Sequence, residues 1–134
     1  MLTYLIDDNA ISLFMTEQTL RLENFATQML TFSSAEAALA NLLPRLQMGL
    51  AVPRVIFLDL NMPTMDGWEF LEHLAPYEDA LRGWCRVYIL TSSLAQADTA
   101  KATNYALVSG VIHKPLDEDE IRAISAEMNQ VAVA

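Results

Sequence analysis

Val55-Ile56-Phe57-Leu58-Asp59-Leu60-Asn61-Met62-Pro63-Thr64-Met65-Asp66-Gly67 is the stretch on which the fold of this chain turns. Four apolar residues run straight into a carboxylate, and a loop punctuated by proline and glycine follows. A short unbroken apolar run of this kind reads as a strand buried on both faces, as in a parallel sheet. Three further runs share the form: Leu5-Ile6 leads into Asp7-Asp8, Val87-Tyr88-Ile89-Leu90 into Thr91, and Val111-Ile112-His113 into Lys114-Pro115. Helical stretches separate them, and that alternation predicts an α/β architecture. Ligands of such sheets bind beyond the carboxyl ends of the strands. Adjacent strands would thus bring acids, a hydroxyl and an ammonium to one rim, a set suited to Mg²⁺ and a phosphoryl group.

Strands are expected at Leu2 to Ile6, Thr27 to Phe32, Val55 to Leu58, Val87 to Leu90 and Val111 to His113. The second alternates polar and apolar residues, which suits an edge, whereas the other four read as apolar throughout. The expected fold is a doubly wound, five-stranded parallel sheet of order 2-1-3-4-5 flanked by five helices. Ala10 to Glu23 forms the first helix, with Ile11, Phe14, Met15 and Leu22 near helical spacing. Ser33-Ser34-Ala35-Glu36 carries a capping-box pattern for the second, and Pro44 ends or kinks it. Asp66-Gly67-Trp68-Glu69 opens the third and Ser93-Leu94-Ala95-Gln96 the fourth, a helix poor in large apolar residues. Asp117 and Glu120 cap the fifth, whose Ile121, Ile124, Met128 and Val131 form one stripe running almost to Ala134. Residues 1–134 are therefore expected to be one domain with no linker.

An apolar fraction of 53% excludes a disordered chain. No apolar stretch is long enough for a membrane span and the start lacks a basic leader, so membrane insertion is not expected and the cytoplasm is the default location. The lone Cys85 has no internal disulfide partner and reads as a small buried hydrophobe. At a formal charge of −9, with basic residues scattered singly, the sequence shows no positive stripe for direct nucleic-acid binding.

Asp7, Asp8 and Asp59 offer hard oxygen ligands that favour Mg²⁺, with the Asn61 backbone carbonyl placed to complete the shell. Asp7-Asp8 as a pair has a bland alternative as a cap of the first helix, which Asp59 beside it disfavours. Asp59 can act as a nucleophile and form an acyl phosphate. Thr91 offers a hydroxyl and Lys114 a point cation to a phosphoryl group, while Pro115 favours a tight, cis-compatible peptide. His73 and His113 lack ligand spacing, and Trp68 and Trp84 read as packing anchors.

Asp7-Asp8 after strand one, Asp59 in a DLNMPxMDG string, Thr91 after strand four and Lys114-Pro115 after strand five resemble the receiver domain of bacterial two-component response regulators. The resemblance spans essentially the whole chain. It implies that Asp59 accepts a phosphoryl group from a phosphohistidine of a sensor histidine kinase or a histidine phosphotransfer protein. It implies Mg²⁺ on Asp8, Asp59 and the Asn61 carbonyl, with Asp7 helping through water. Thr91 and Lys114 would contact the phosphoryl group, and helix four, strand five and helix five would signal to a downstream protein target. Asn61 and Ser93 occupy positions that tune acyl-phosphate lifetime in that family. One departure is Val111, where relatives commonly carry Tyr or Phe; another is a long connection from Leu43 to Pro53.

The resulting expectation is a non-enzymatic phosphoprotein acting in signal transduction or a phosphorelay. The alternative is a receiver-like interaction scaffold that does not cycle phosphate, for which Val111 is the only hint. A Mg²⁺-dependent phosphohydrolase is disfavoured, because Asp59-Leu60-Asn61 lacks the second acid of an Asp-x-Asp pair.

Overall fold

In a computed structural model, residues 1–92 and 96–133 are described, the side chains of 96, 97 and 129–133 excepted. Strands β1 (Leu2–Ile6), β2 (Gln28–Phe32), β3 (Val55–Asp59), β4 (Arg86–Thr91) and β5 (Val108–His113) pair in parallel in the order β2-β1-β3-β4-β5. The helices are α1 (Ala10–Leu22), α2 (Ala35–Met48), α3 (Gly67–Leu74), α4 (Glu78–Leu81), α5 (Gln96–Ala102) and α6 (Glu118–Val133). A 3₁₀ turn over Ala75–Tyr77 joins α3 to the single turn of α4, so these two form one connection and the expected five-helix plan stands.

Alternation along each strand divides the core between the two faces of the sheet. Tyr4, Ile6, Ile56 and Leu58 pack with Leu42 of α2 and Phe70 of α3 on one face. Leu5, Phe57, Tyr88 and Leu90 pack with Leu20 of α1 and Ile121, Ile124 and Met128 of α6 on the other. Each such fully buried apolar side chain stabilises the fold by about 1.5–3 kcal/mol relative to exposure. A third cluster joins Leu60, Ile89 and Ala102 of α5, with Trp68, Val108 and Val111 packed against it. Beside it the Trp68 and Tyr105 rings stack at 5.5 Å, and the Lys101 ammonium lies 4.9 Å from the Trp68 ring centroid.

Several local expectations change. Ile11, Phe14 and Met15 of α1 are 73%, 62% and 53% exposed, and Leu22 is exposed as well; the helix instead buries Thr16 and Leu20. The periodicity therefore identified the helix and the wrong inner face. Helix α2 continues through Pro44 to Met48, where Gly49 caps it at φ +68°, a left-handed conformation natural to glycine. That helical extension occupies much of the long Leu43-to-Pro53 connection. Its N-cap is Ser34, which accepts from the Ala37 amide, so Glu36 is one residue early for a reciprocal box. Strand β5 begins at Val108 and is an edge strand with Ser109 and His113 exposed, not an apolar strand buried on both faces. The Asp117–Glu120 box forms in both directions, at 2.8 and 3.2 Å. The Ser93 cap and the Val131 side chain lie outside the described residues.

Thr3 is fully buried in β1, and its Oγ1 has no hydrogen-bond partner among the described residues. An unsatisfied buried hydroxyl is destabilising, and valine keeps its shape without the polar atom. Thr3→Val should therefore raise the unfolding free energy by about 1 kcal/mol, read as a higher urea midpoint at unchanged slope. A lower midpoint would mean that the hydroxyl is satisfied.

Candidate functional site

The strand order reverses at β1, which lies between β2 and β3, and the carboxyl ends of β1 and β3 form the crevice expected of such a switch point. Asp7 follows β1 directly, with its amide donating to the Phe32 carbonyl at 3.0 Å. Helix α1 is capped by Asn9, whose Oδ1 accepts from the Ser12 amide at 2.9 Å. Asp7 and Asp8 are thus not the cap of α1. Asp7 is 5% exposed and accepts from the Asn9 amide at 2.9 Å, the Ser12 hydroxyl at 2.7 Å and the Lys114 ammonium at 2.8 Å.

Asp59 is the last residue of β3 and 6% exposed. Its Oδ1 accepts from the Asn61 amide at 3.3 Å, and Lys114 stands 3.6 Å from its other oxygen. One carboxylate oxygen from each of Asp7, Asp8 and Asp59 falls within 4.8 Å of the others, and Asp8 is exposed. Lys114 is placed by the sheet: its amide donates to the Thr91 carbonyl at 2.8 Å, and its bond to Pro115 is cis. Thr91 ends β4 and is buried. The structure therefore gathers Asp7, Asp8, Asp59 and Lys114, with Thr91 at the end of the strand next to Asp59. Asn61 is exposed beside the cluster.

The loop after Asp59 is tightly constrained. Asp66 caps α3 in a reciprocal box with Glu69, at 2.9 and 3.3 Å. The Gly67 amide donates to the Leu60 carbonyl at 3.0 Å. A Cβ at Gly67 would lie 2.8 Å from the Asp59 carbonyl oxygen, so the helix start approaches the backbone as only glycine permits. Thr64 adopts φ +70°, a strained conformation for a β-branched residue.

Burial pushes the Asp7 carboxyl up, but the Lys114 ammonium, the Asn9 amide and the Ser12 hydroxyl together hold it below the ordinary range. Asp59 goes the other way. Burial, opposed by Lys114 and reinforced by the Asp7 charge, raises it to about 6. Two acids at one cation thus divide into a satisfied one and a frustrated one. Three carboxylates of hard oxygen, one of them short of positive charge, fit Mg²⁺, and exposed Asp8 lies on the solvent side.

Reading residue types at strand ends reached the acids, the hydroxyl and the lysine but missed Ser12 and Asn9. Their signal was the Asn-x-x-Ser spacing of an N-cap one residue beyond the Asp pair. Cys85 is buried and its thiol is pushed by burial up to about 12, consistent with an inert packing role. Trp84 differs from expectation: it is 48% exposed at the opposite end of the sheet.

The family model described as response regulator receiver domain matches residues 3–126. A two-component response regulator from Cytophaga hutchinsonii is 27% identical, with a TM-score of 0.86 over 99% of this chain and 97% of that one. A response regulator receiver protein from Dyadobacter fermentans is 26% identical, with a TM-score of 0.78 over 97% and 96%. A search of curated proteins found no match.

The raised Asp59 value has a definite consequence. The folded chain binds this proton more tightly than the unfolded chain, so between about pH 4 and 6 the Asp59 contribution to stability falls as pH rises, and above that its full penalty is present. In EDTA, acidification from about pH 7 to 5 should stabilise the wild type by on the order of 1 kcal/mol through this group. Asp59→Asn should remove that increment and melt higher than wild type at pH 7. Equal melting temperatures at neutral pH would show that the acids do not crowd.

Proposed function

The chain belongs to the family of response regulator receiver domains, and on that footing we propose that Asp59 is its phosphoacceptor, charged by a phosphohistidine of a sensor histidine kinase or histidine phosphotransfer protein. The observation that carries this reading is the asymmetry at Lys114: Asp7 holds the ammonium at 2.8 Å, leaving the Asp59 carboxylate incompletely neutralised at a strand end. An Asp59 oxygen attacks phosphorus, the phosphorus–nitrogen bond breaks, and the partner's imidazole leaves with the bonding pair. Asp7, Asp8, Asp59 and the Asn61 backbone carbonyl would hold Mg²⁺, which when bound neutralises charge between the nucleophile and the incoming group. Lys114 then exchanges part of its contact with Asp7 for a phosphoryl oxygen, and the Thr91 hydroxyl donates to another. The protein itself is the substrate of this transfer, so it is a phosphoprotein rather than a classical enzyme.

Residues 1–134 act in this reading as a single cytoplasmic receiver, relaying the signal to a protein target through α5, β5 and α6 without contacting nucleic acid. Val111 contributes a small apolar contact to the third cluster, so the response to phosphorylation travels through Leu60, Ile89 and Ala102 rather than through an aromatic swing. The phosphohistidine-bearing partner docks on the exposed Ile11–Met15 strip of α1. A groove of about 380 Å³ there, lined by Ile11, Met15, Pro115 and Leu116, runs from the helix to Ser12 and Lys114, which hold Asp7.

With Mg²⁺ and acetyl phosphate, the wild type should gain one acid-labile phosphoryl group per chain, observed by intact mass, and Asp59→Asn should gain none. Failure of the wild type to label would favour the scaffold reading; many turnovers of released phosphate would favour a hydrolase. Phe14→Asp and Met15→Asp should slow transfer from a phosphohistidine protein by roughly tenfold or more, as expected for apolar anchors, while leaving labelling by acetyl phosphate unchanged. Equal slowing with both donors would place their effect on the chemistry instead of docking.

A further inference from the structure

The basic residues that stand singly in the sequence are partly gathered by the fold. Three of the six arginines, Arg54, Arg82 and Arg86, line one cavity of about 490 Å³ at the amino ends of β3 and β4. That is the end of the sheet opposite the acid cluster, one strand length away, or about 15 Å.

The cavity wall is rigidly framed. The Trp84 indole N–H donates to the Val52 carbonyl at 3.1 Å, and Arg54 Nε donates to the Trp84 carbonyl at 3.1 Å. The Arg54 guanidinium stacks over the Trp84 ring, 4.2 Å from its centroid. The Arg86 amide donates to the Arg54 carbonyl at 2.8 Å, so both side chains spring from paired backbone.

Charge at the cavity is unevenly paired. Arg82 pairs with Glu78 at 2.7 Å and Arg86 with Glu127 at 3.2 Å. Arg54 has no carboxylate within ion-pair distance among the described residues, and Glu127 is the one acid lining the cavity. Gathering like charges is unfavourable unless an anion lies among them. Glu78, Asp79 and Glu127 offset the three arginines, which leaves a near-neutral patch in a chain of formal charge −9, with the Arg54 guanidinium lacking an ion pair among the described residues. Guanidinium forks match carboxylate and phosphate oxygens in bidentate geometry, and the volume lies within the range of small-molecule sites.

We propose that this cavity binds a small polyanion carrying two oxyanion groups, phosphate or carboxylate, with Arg54 and Arg86 as its principal ligands and the Trp84 indole as its apolar wall. The site shares no residue with the phosphoacceptor cluster and stands independently of it. Its walls come from Arg54 just before β3, the start of β4, the connection through Ala106 and Leu107 into β5, and Glu127 of α6, so an occupant would bridge elements that meet the signalling side of the sheet.

The test is a ¹H–¹⁵N correlation titration of the full chain, without Mg²⁺ and at fixed ionic strength, using sodium pyrophosphate and, separately, sodium citrate. At least one probe should move the Trp84 indole resonance and the Arg54 and Arg86 Nε–H resonances to saturation. Arg54→Gln and Arg86→Gln should each weaken that probe's binding roughly tenfold or more, as for a hydrogen bond to a charged group. Arg82→Gln, at an exposed position, supplies a further variant should either of those fail to fold, and should weaken binding severalfold. In Lys114→Gln the Trp84 response should persist, separating this cavity from any anion entering beside Thr91. Saturation by pyrophosphate alone assigns a phosphate ligand, by citrate alone a carboxylate ligand, and by both a site that takes either. Linear shifts with both probes, or affinities unchanged in the arginine variants, would indicate an adventitious ion only and overturn the proposal.

Discussion

Two carboxylates buried against one ammonium is the constraint around which this molecule is arranged. Lys114 cannot neutralise Asp7 and Asp59 equally, and the competition is resolved in favour of Asp7, which also collects the Ser12 hydroxyl and the Asn9 amide. Asp59 is left with a raised proton affinity and a need for added positive charge. The arrangement exists only because β1, β3 and β5 deliver their ends to one rim, with β4 between the last two. The core beneath the rim, Tyr4 and Ile89 included, is mainly apolar packing that fixes those ends in place. Stability is thus surrendered at the rim and recovered in the two layers below it.

The fold was legible because unbroken apolar runs in a parallel sheet admit few other readings. Strand order followed from the polar alternation of β2 alone, although the order 2-1-3-4-5 makes β5 an edge as well. Its Ser109 and Gly110 look like loop in sequence, and pairing with β4 makes them strand. The face of α1 was misread for a related reason. Periodicity reports that one side of a helix is apolar, and cannot tell whether the sheet or a partner covers it. Thr16 and Leu20 face the core while Phe14 and Met15 face outward. The site was legible as residue types at strand ends. Which acid would win the lysine was not, because that depends on a serine one helical turn away.

The helices differ in how firmly they are joined to this rim. Helix α6 is held by a full stripe, Ile121, Ile124 and Met128, whereas α5 contributes Ala102 to a small cluster with Leu60 and Ile89. Its other attachments run along the Trp68–Tyr105 stack, the Lys101 ammonium over the indole, and a 2.7 Å hydrogen bond from the Tyr105 hydroxyl to Glu72. Among the described residues these contacts are partly polar, the kind that reorganise at modest free-energy cost. Leu60 follows Asp59 directly, so Asp59 and α5 share a packing neighbour.

The contact at Gly67 sets a direction for any response. With the start of α3 seated against the Asp59 carbonyl so closely that a methyl group would collide, that side of Asp59 behaves as an anvil. A chemical change on the carboxylate cannot be absorbed by recoil there. Displacement is left to travel the opposite way, toward the edge of the sheet, and one missing carbon atom makes the molecule a lever with a fixed fulcrum.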